Sequence, residues 1–156
     1  MKLTFWAAFW SFVLDQATKL WVVRGLNLRE VSQIDVLPPY LNFRMAWNRG
    51  MNFGLFANHA ELTRWLLIAI ALGIVVWVVW WIRRADQGQM AHLSAGLLIG
   101  GALGNVMDRL LYGAVADFLN MSCCGFSNPF SFNIADIAVF AGAVGLIFFS
   151  REKNTP

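Results

Sequence analysis

Hydrophobic positions along the chain gather into four long blocks, separated by segments that are polar, turn-rich or both. The first block, residues 3–23, follows a lone Lys2 and carries Asp15 and Lys19 inside it. It is too long for the apolar region of a secretory signal and lacks an Ala-x-Ala cleavage pattern, so it reads as a transmembrane helix. The second block, residues 64–82, is apolar all round and closes on Trp77, Trp80, Trp81, Arg83 and Arg84, as helices do where they leave lipid. In the third, residues 90–111, Gly96, Gly100 and Gly104 recur every four positions, and the same ladder continues to Asp108. Small residues at that spacing let another helix approach closely. The fourth, residues 132–150, answers with Ala135, Ala138, Gly142 and Gly145. The third and fourth helices are therefore expected to form a tight pair.

Between the first two blocks the period changes. Leu41, Phe43, Met45 and Trp47 alternate with Tyr40, Asn42, Arg44 and Ala46, a period of two that predicts a short strand with one apolar face. Asn48-Arg49-Gly50 supplies turn chemistry before Phe53-Gly54-Leu55-Phe56 resumes the apolar pattern, which suggests a hairpin or curled sheet over about 36–57, lying on the membrane surface. The fold class expected is an all-α membrane protein, a bundle of four transmembrane helices with a small β-rich cradle, in one domain over 1–156.

Composition agrees with that reading. Of 156 residues, 58% are hydrophobic and 13% charged, against roughly 25% charged in soluble domains. The 12 Lys and Arg are scattered without a basic stripe, so the net charge of +3 gives no case for nucleic acid. His59 and His92 stand far apart, and the two cysteines, Cys123 and Cys124, are adjacent, so no metal-ligand spacing is visible and neither metal nor cofactor is expected. A vicinal disulfide or an incidental thiol pair accounts for the cysteines.

Charge bears on orientation. With four helices, Lys2, Arg83, Arg84, Arg151 and Lys153 share one side, while Arg24, Arg29, Arg44, Arg49 and Arg64 are spread over a long loop on the other, where the positive-inside rule weakens. The connection 112–131 has no Lys or Arg. Both termini are thus expected in the cytoplasm, with the carboxylates at the outer surface.

Those carboxylates are the chemical anomaly. Asp108, Asp117 and Asp136, with Asn105, Asn133 and Arg109, crowd the facing ends of two otherwise apolar runs, and ionisable groups at a lipid boundary are by default functional candidates. Asn133 and Asp136 are three apart, Asn105 and Arg109 four apart, and Asp117 lies in the connection between them. If the last two helices pair, Asp117 and Asp136 converge, with Arg109, Asn105 and Asn133 around them. Two carboxylates within about 3 Å cannot both ionise cheaply and share one proton, which supplies a base and an acid together. Residue types alone leave three readings open: hydrolysis by an activated water, a proton or ion relay in a small transporter, and a polar cluster that fixes helix register. Asp15 and Lys19, four apart on the first helix, are equally open between a structural ion pair and a place near substrate.

The pattern resembles the lipoprotein signal peptidases (signal peptidase II), membrane aspartyl peptidases of bacteria. Five segments match in order: Asp15-Gln-Ala-Thr-Lys19, Asn48-Arg-Gly-Met-Asn-Phe-Gly54, Gly104-Asn-Val-Met-Asp-Arg109, Val115-Ala-Asp-Phe118 and Phe132-Asn-Ile-Ala-Asp136. The resemblance implies an inner-membrane enzyme with its site at the periplasmic face. Its substrate would be diacylglyceryl-modified prolipoprotein, cut on the N-terminal side of the lipidated cysteine. By motif position Asp117 and Asp136 would be catalytic, while Asp15, Lys19, Asn48, Asn105, Asp108, Arg109 and Asn133 would shape the site or position substrate. The resemblance further implies contact with membrane lipid, a monomer, and inhibition by the cyclic peptide globomycin. Met51 and Asn52 stand where many relatives carry smaller residues, and Cys123-Cys124 is not part of the pattern.

Overall fold

A computed structural model describes residues 1–50, 60–84, 86–123, 125, 126 and 128–150. The expected hairpin beyond Gly50 falls on residues outside this set, as do Met51, Asn52 and Cys124. Helix α1 (Lys2–Lys19) runs on into a π-helical turn (Leu20–Gly25) and is followed by a short α2 (Leu28–Val31). Strands β1 (Gln33–Leu37) and β2 (Leu41–Asn48) precede α3 (Ala60–Arg84) and α4 (Gln89–Tyr112). Strand β3 (Val115–Met121) and α5 (Ile134–Phe149) complete the chain. All four apolar blocks are helical. Among the described residues two helices, α3 and α4, are by themselves long and apolar enough to cross a membrane, and α5 is a shorter apolar helix.

Helix α4 is the hub, because its small residues point two ways. The ladder Gly96, Gly100, Gly104 faces α1: a Cβ on Gly96 would lie 2.6 Å from the Thr4 carbonyl, and one on Gly100 2.8 Å from Ser11 Cβ. The partner of that ladder is therefore the first helix, where the sequence suggested the last. Helix α5 meets α4 about one residue round, where Gly101 would clash with the Ala135 carbonyl at 2.5 Å and Gly142 with Ser94 and Leu98. At about 100° per residue, 100 and 101 look in clearly different directions, so one glycine-rich helix seats two neighbours. Helix α3 lies on a third face, through a core of Val78, Ile82, Ala91, Ala95, Leu98 and Ile99.

The sheet has the antiparallel order β1-β2-β3. Its third strand comes from the connection after α4, a segment whose strand the sequence pattern had not revealed. The alternation expected through β2 is broken by a register shift between Phe43 and Ala46. Phe43 and Met45 pack with Val22, Leu28 and Phe118, whereas Trp47 turns outward and rests on Tyr112 with ring centroids 5.7 Å apart. A bulge changes which side chains face inward, and here it leaves Asn48 at the inner end of the strand.

Candidate active site

Helix α5 begins at a capping box. Asn133 is the N-cap, its side-chain oxygen accepting the Asp136 backbone N–H at 2.9 Å, while Asp136 Oδ2 accepts the Asn133 N–H at 3.2 Å. Asn133 therefore stands just outside the helix, which the sequence pattern began at residue 132. The exchange satisfies two N–H groups that a helix start otherwise leaves unpaired, and a carboxylate in the first turn is favoured by the helix dipole.

A second local device brings Asp117 to the same place. Phe132 pairs back on Leu119, with N···O distances of 2.9 and 2.8 Å, so the residue after Phe132 is drawn alongside the strand that carries Asp117. The Asn133 amide donates to Asp117 Oδ1 at 2.6 Å and reaches Asn105 Oδ1 at 3.3 Å. Asn105 in turn donates to Asp136 Oδ1 at 2.9 Å. From β2, Asn48 stands diagonal to Asp117 across the Ala46–Asp117 pair, near enough for its amide to oppose the rise in the Asp117 pKa. Gly50 N–H occupies Asn48 Oδ1 at 2.9 Å, which leaves the Asn48 amide nitrogen for Asp117. Arg109 lies within electrostatic reach of Asp136, Asp117 and Asp108, and donates to the Asn105 carbonyl at 3.3 Å.

Neither Asp117 nor Asp136 forms an ion pair among the described residues. Asp117 is 3% exposed, and burial first, then the like charge of Asp136, pushes its carboxyl up to about 6, against the opposing pull of Asn48, Asn133 and Lys19. An acid titrating there keeps a proton available near neutral pH, which an ordinary aspartate does not.

A second polar cluster sits behind this pair. Lys19 Nζ lies 2.8 Å from Asp15 and 2.8 Å from Asp108, so it bridges two carboxylates where the sequence spacing suggested one. Each grips a backbone N–H beside one of the paired acids: Asp15 Oδ1 accepts Ala135 N–H at 2.9 Å, next to Asp136, and Asp108 Oδ2 accepts Ala116 N–H at 3.0 Å, next to Asp117. Gln16, not singled out by the sequence reading, joins them by donating to Asp15 at 3.0 Å, to Asp108 at 3.1 Å and to the Gly104 carbonyl at 3.3 Å. Its only signal was an amide inside an apolar run. The absence of a Cβ at Gly104 makes room for the Asp15 carboxylate, which such an atom would meet at 2.6 Å. Asn120 was missed as well: buried at the end of β3, it donates to the Asn128 and Phe130 carbonyls at 2.8 and 2.9 Å and shapes the approach to α5.

The nine residues anticipated from sequence thus divide into two groups. Asp117, Asp136, Asn48, Asn105, Asn133 and Arg109 surround one point; Asp15, Lys19 and Asp108 form the support behind it. Fold and site together define a helical protein with apolar spans that holds two carboxylates, Asp117 and Asp136, in one hydrogen-bonded cluster at one end of its bundle.

Solved structures share this architecture. A structure titled "Bacterial membrane enzyme structure by the in meso method at 1.9 A resolution" superposes with a TM-score of 0.81 at 26% identity, covering 99% of this chain and 96% of that one. Among proteins of known name, the lipoprotein signal peptidase of Methylorubrum extorquens (strain PA1) is 44% identical over 90% of this chain and 80% of its own length. That of Alteromonas mediterranea is 38% identical over 96% and 80%. The family described as Signal peptidase (SPase) II matches residues 7–151. The chain belongs to the signal peptidase II family.

Proposed function

We propose that this family member works as an aspartic peptidase, with Asp117 and Asp136 as its catalytic pair. The reaction itself, removal of signal peptides from prolipoproteins, follows from membership of the family. The observation that carries the aspartic assignment is Asn133, whose backbone and side chain hold the two carboxylates in one hydrogen-bonded unit with no ion pair among the described residues. One carboxylate, ionised, takes a proton from a water between them while the other, protonated, donates to the scissile carbonyl oxygen. Attack by that water gives a tetrahedral diol. Return of the proton to the leaving nitrogen breaks the C–N bond. The single shared proton belongs to the pair and is not assigned to one member at rest.

Asn48, Asn105 and Asn133 orient the pair, Arg109 supplies positive potential for the developing oxyanion, and Asp15, Lys19 and Asp108 hold the backbone on which both acids sit. The proposed setting is the bacterial inner membrane, with α1, α3, α4 and α5 as four spans, both termini cytoplasmic and the acid pair at the periplasmic face beside the sheet. The substrate is a diacylglyceryl prolipoprotein cut N-terminal to its lipidated cysteine, its acyl chains remaining in lipid. A monomer sensitive to globomycin belongs to the same proposal.

The test is incubation of purified protein, in detergent and without any ion gradient, with a lipidated prolipoprotein. Cleavage is expected, and it is abolished by Asp117→Asn or Asp136→Asn at unchanged folding. Cleavage by either variant at the parental rate removes the acid pair from the mechanism, and proton movement across liposomes without cleavage favours a relay.

A further inference from the structure

A groove of about 870 Å³ runs between α1 and α3, with α4 as its floor and neither Asp117 nor Asp136 in its lining. Phe5, Phe9 and Phe12 form one wall, Ile99, Leu103 and Val106 the base, and Val79 and Arg83 belong to the other wall. It follows from α4 seating α1 through glycines and α3 through a different face, which leaves the sector between them uncovered. The floor residues run from Ile99 to Leu110. At about 1.5 Å per residue that is roughly 16 Å, close to one leaflet of a hydrocarbon core about 30 Å thick.

The polar end of the groove is one-signed. Lys2 and Arg83 line it, and none of the described lining residues is acidic. Both Lys2 and Arg83 are exposed, as are Phe5 at 63% and Trp6 at 53%. Apolar contact alone would not select an occupant in a bilayer, since lipid tails are as apolar as these walls. Charge would. A signal peptide has a positively charged N-terminal region, which these cations repel, so the substrate's own leader is a poor fit.

We infer that this groove is a binding site for an anionic glycerophospholipid of the surrounding membrane, one acyl chain along Phe9, Leu103 and Val106 and the phosphate between Lys2 and Arg83. The site is separate from the chemistry and makes the grip of the α1/α4/α3 end on its bilayer dependent on headgroup charge.

The experiment reconstitutes the full chain in vesicles of equal parts phosphatidylglycerol and phosphatidylcholine, extracts it gently and quantifies the lipid that stays bound. Wild type is expected to retain phosphatidylglycerol preferentially. Lys2→Gln and Arg83→Gln each lower the preference by roughly fivefold, the fold-change equivalent to about 1 kcal/mol per basic side chain at an anionic surface. Arg84→Gln is the control, because Arg84 sits over Trp80 at 4.6 Å and does not line the groove; it leaves the preference nearly intact. Leu103→Trp, which fills the floor, reduces retention of both lipids, with a melting curve to verify folding. Equal retention of the two lipids by wild type overturns the inference. So does a loss in Arg84→Gln as large as in Arg83→Gln, which would mean diffuse surface charge, or cross-linking of a prolipoprotein leader into the groove.

Discussion

Two acid pairs lie at the same end of this bundle and are prepared in opposite ways. Asp15 and Asp108 have a lysine between them, 2.8 Å from each, and their remaining oxygens are taken by Gln16 and by two backbone N–H groups. Asp117 and Asp136 have amides in place of the lysine, and each faces the other's charge. The first arrangement fixes geometry, with the carboxylate oxygens held by a lysine, an amide and two backbone N–H groups. The second leaves Asp117 pushed up to about 6, by burial first and then by the charge of Asp136. Identical side chains sit in two different settings, and the difference is whether a cation is within bonding distance.

The predictions test that contrast, beginning with the greatest effect. Asp117→Asn and Asp136→Asn should each reduce prolipoprotein cleavage by about a thousandfold or more, the range lost with a general acid or base, while melting temperature stays near wild type. The same exchange at Asp15 or Asp108 should act chiefly on melting temperature.

Lys19→Met removes the cation and leaves two buried carboxylates facing one another. Breaking a buried ion pair from one side costs about 3–5 kcal/mol, so the variant should melt many degrees lower. Rescue by Asp15→Asn alone should be incomplete, because Asp108 remains unpaired. Full rescue would show that Lys19 serves one partner only.

Asn133→Ala removes a helix cap, costing about 1 kcal/mol by chemical denaturation, and also a donor to Asp117. Cleavage should fall by more than the stability loss explains.

Asp117 itself should titrate near pH 6 in carboxyl-labelled protein, and in Asp136→Asn it should move down towards the ordinary value without reaching it, since burial is the leading cause and remains. The sign for stability follows. A carboxyl whose folded pKa lies above its unfolded value of 3.8 holds its proton more tightly when folded, so its contribution is lost as pH rises from about 4 through about 6. Asp117→Asn should flatten that part of the stability profile.

Glu61→Gln gives the smallest effect. Glu61 is 75% exposed in its ion pair with Arg64, and exposed pairs contribute about 0–1 kcal/mol. A shift comparable to that of Lys19→Met would dissolve the distinction between buried and exposed charge drawn here.

How much of this was legible depended on range. The four helices follow from block length and apolarity, properties that each segment carries alone. The two-fold use of α4 does not, because a glycine ladder announces a close approach without naming the neighbour, and only the angular offset of Gly101 from Gly100 separates α5 from α1. β3 was hidden because residues 115–118 are buried throughout, which erases the alternation that betrayed β2. Asp117 and Asp136 could be picked out as carboxylates at apolar borders. The role of Asp108 could not, since its partners Lys19 and Ala116 N–H come from α1 and β3.

One feature of α5 has a kinetic side. Both oxygens of Asp136 are engaged, Oδ1 by Asn105 and Oδ2 by the backbone N–H that starts the helix. Hydrogen exchange at the Asn133 amide therefore reads how often this first turn opens, and Asp136→Asn, which weakens the acceptor, should speed it.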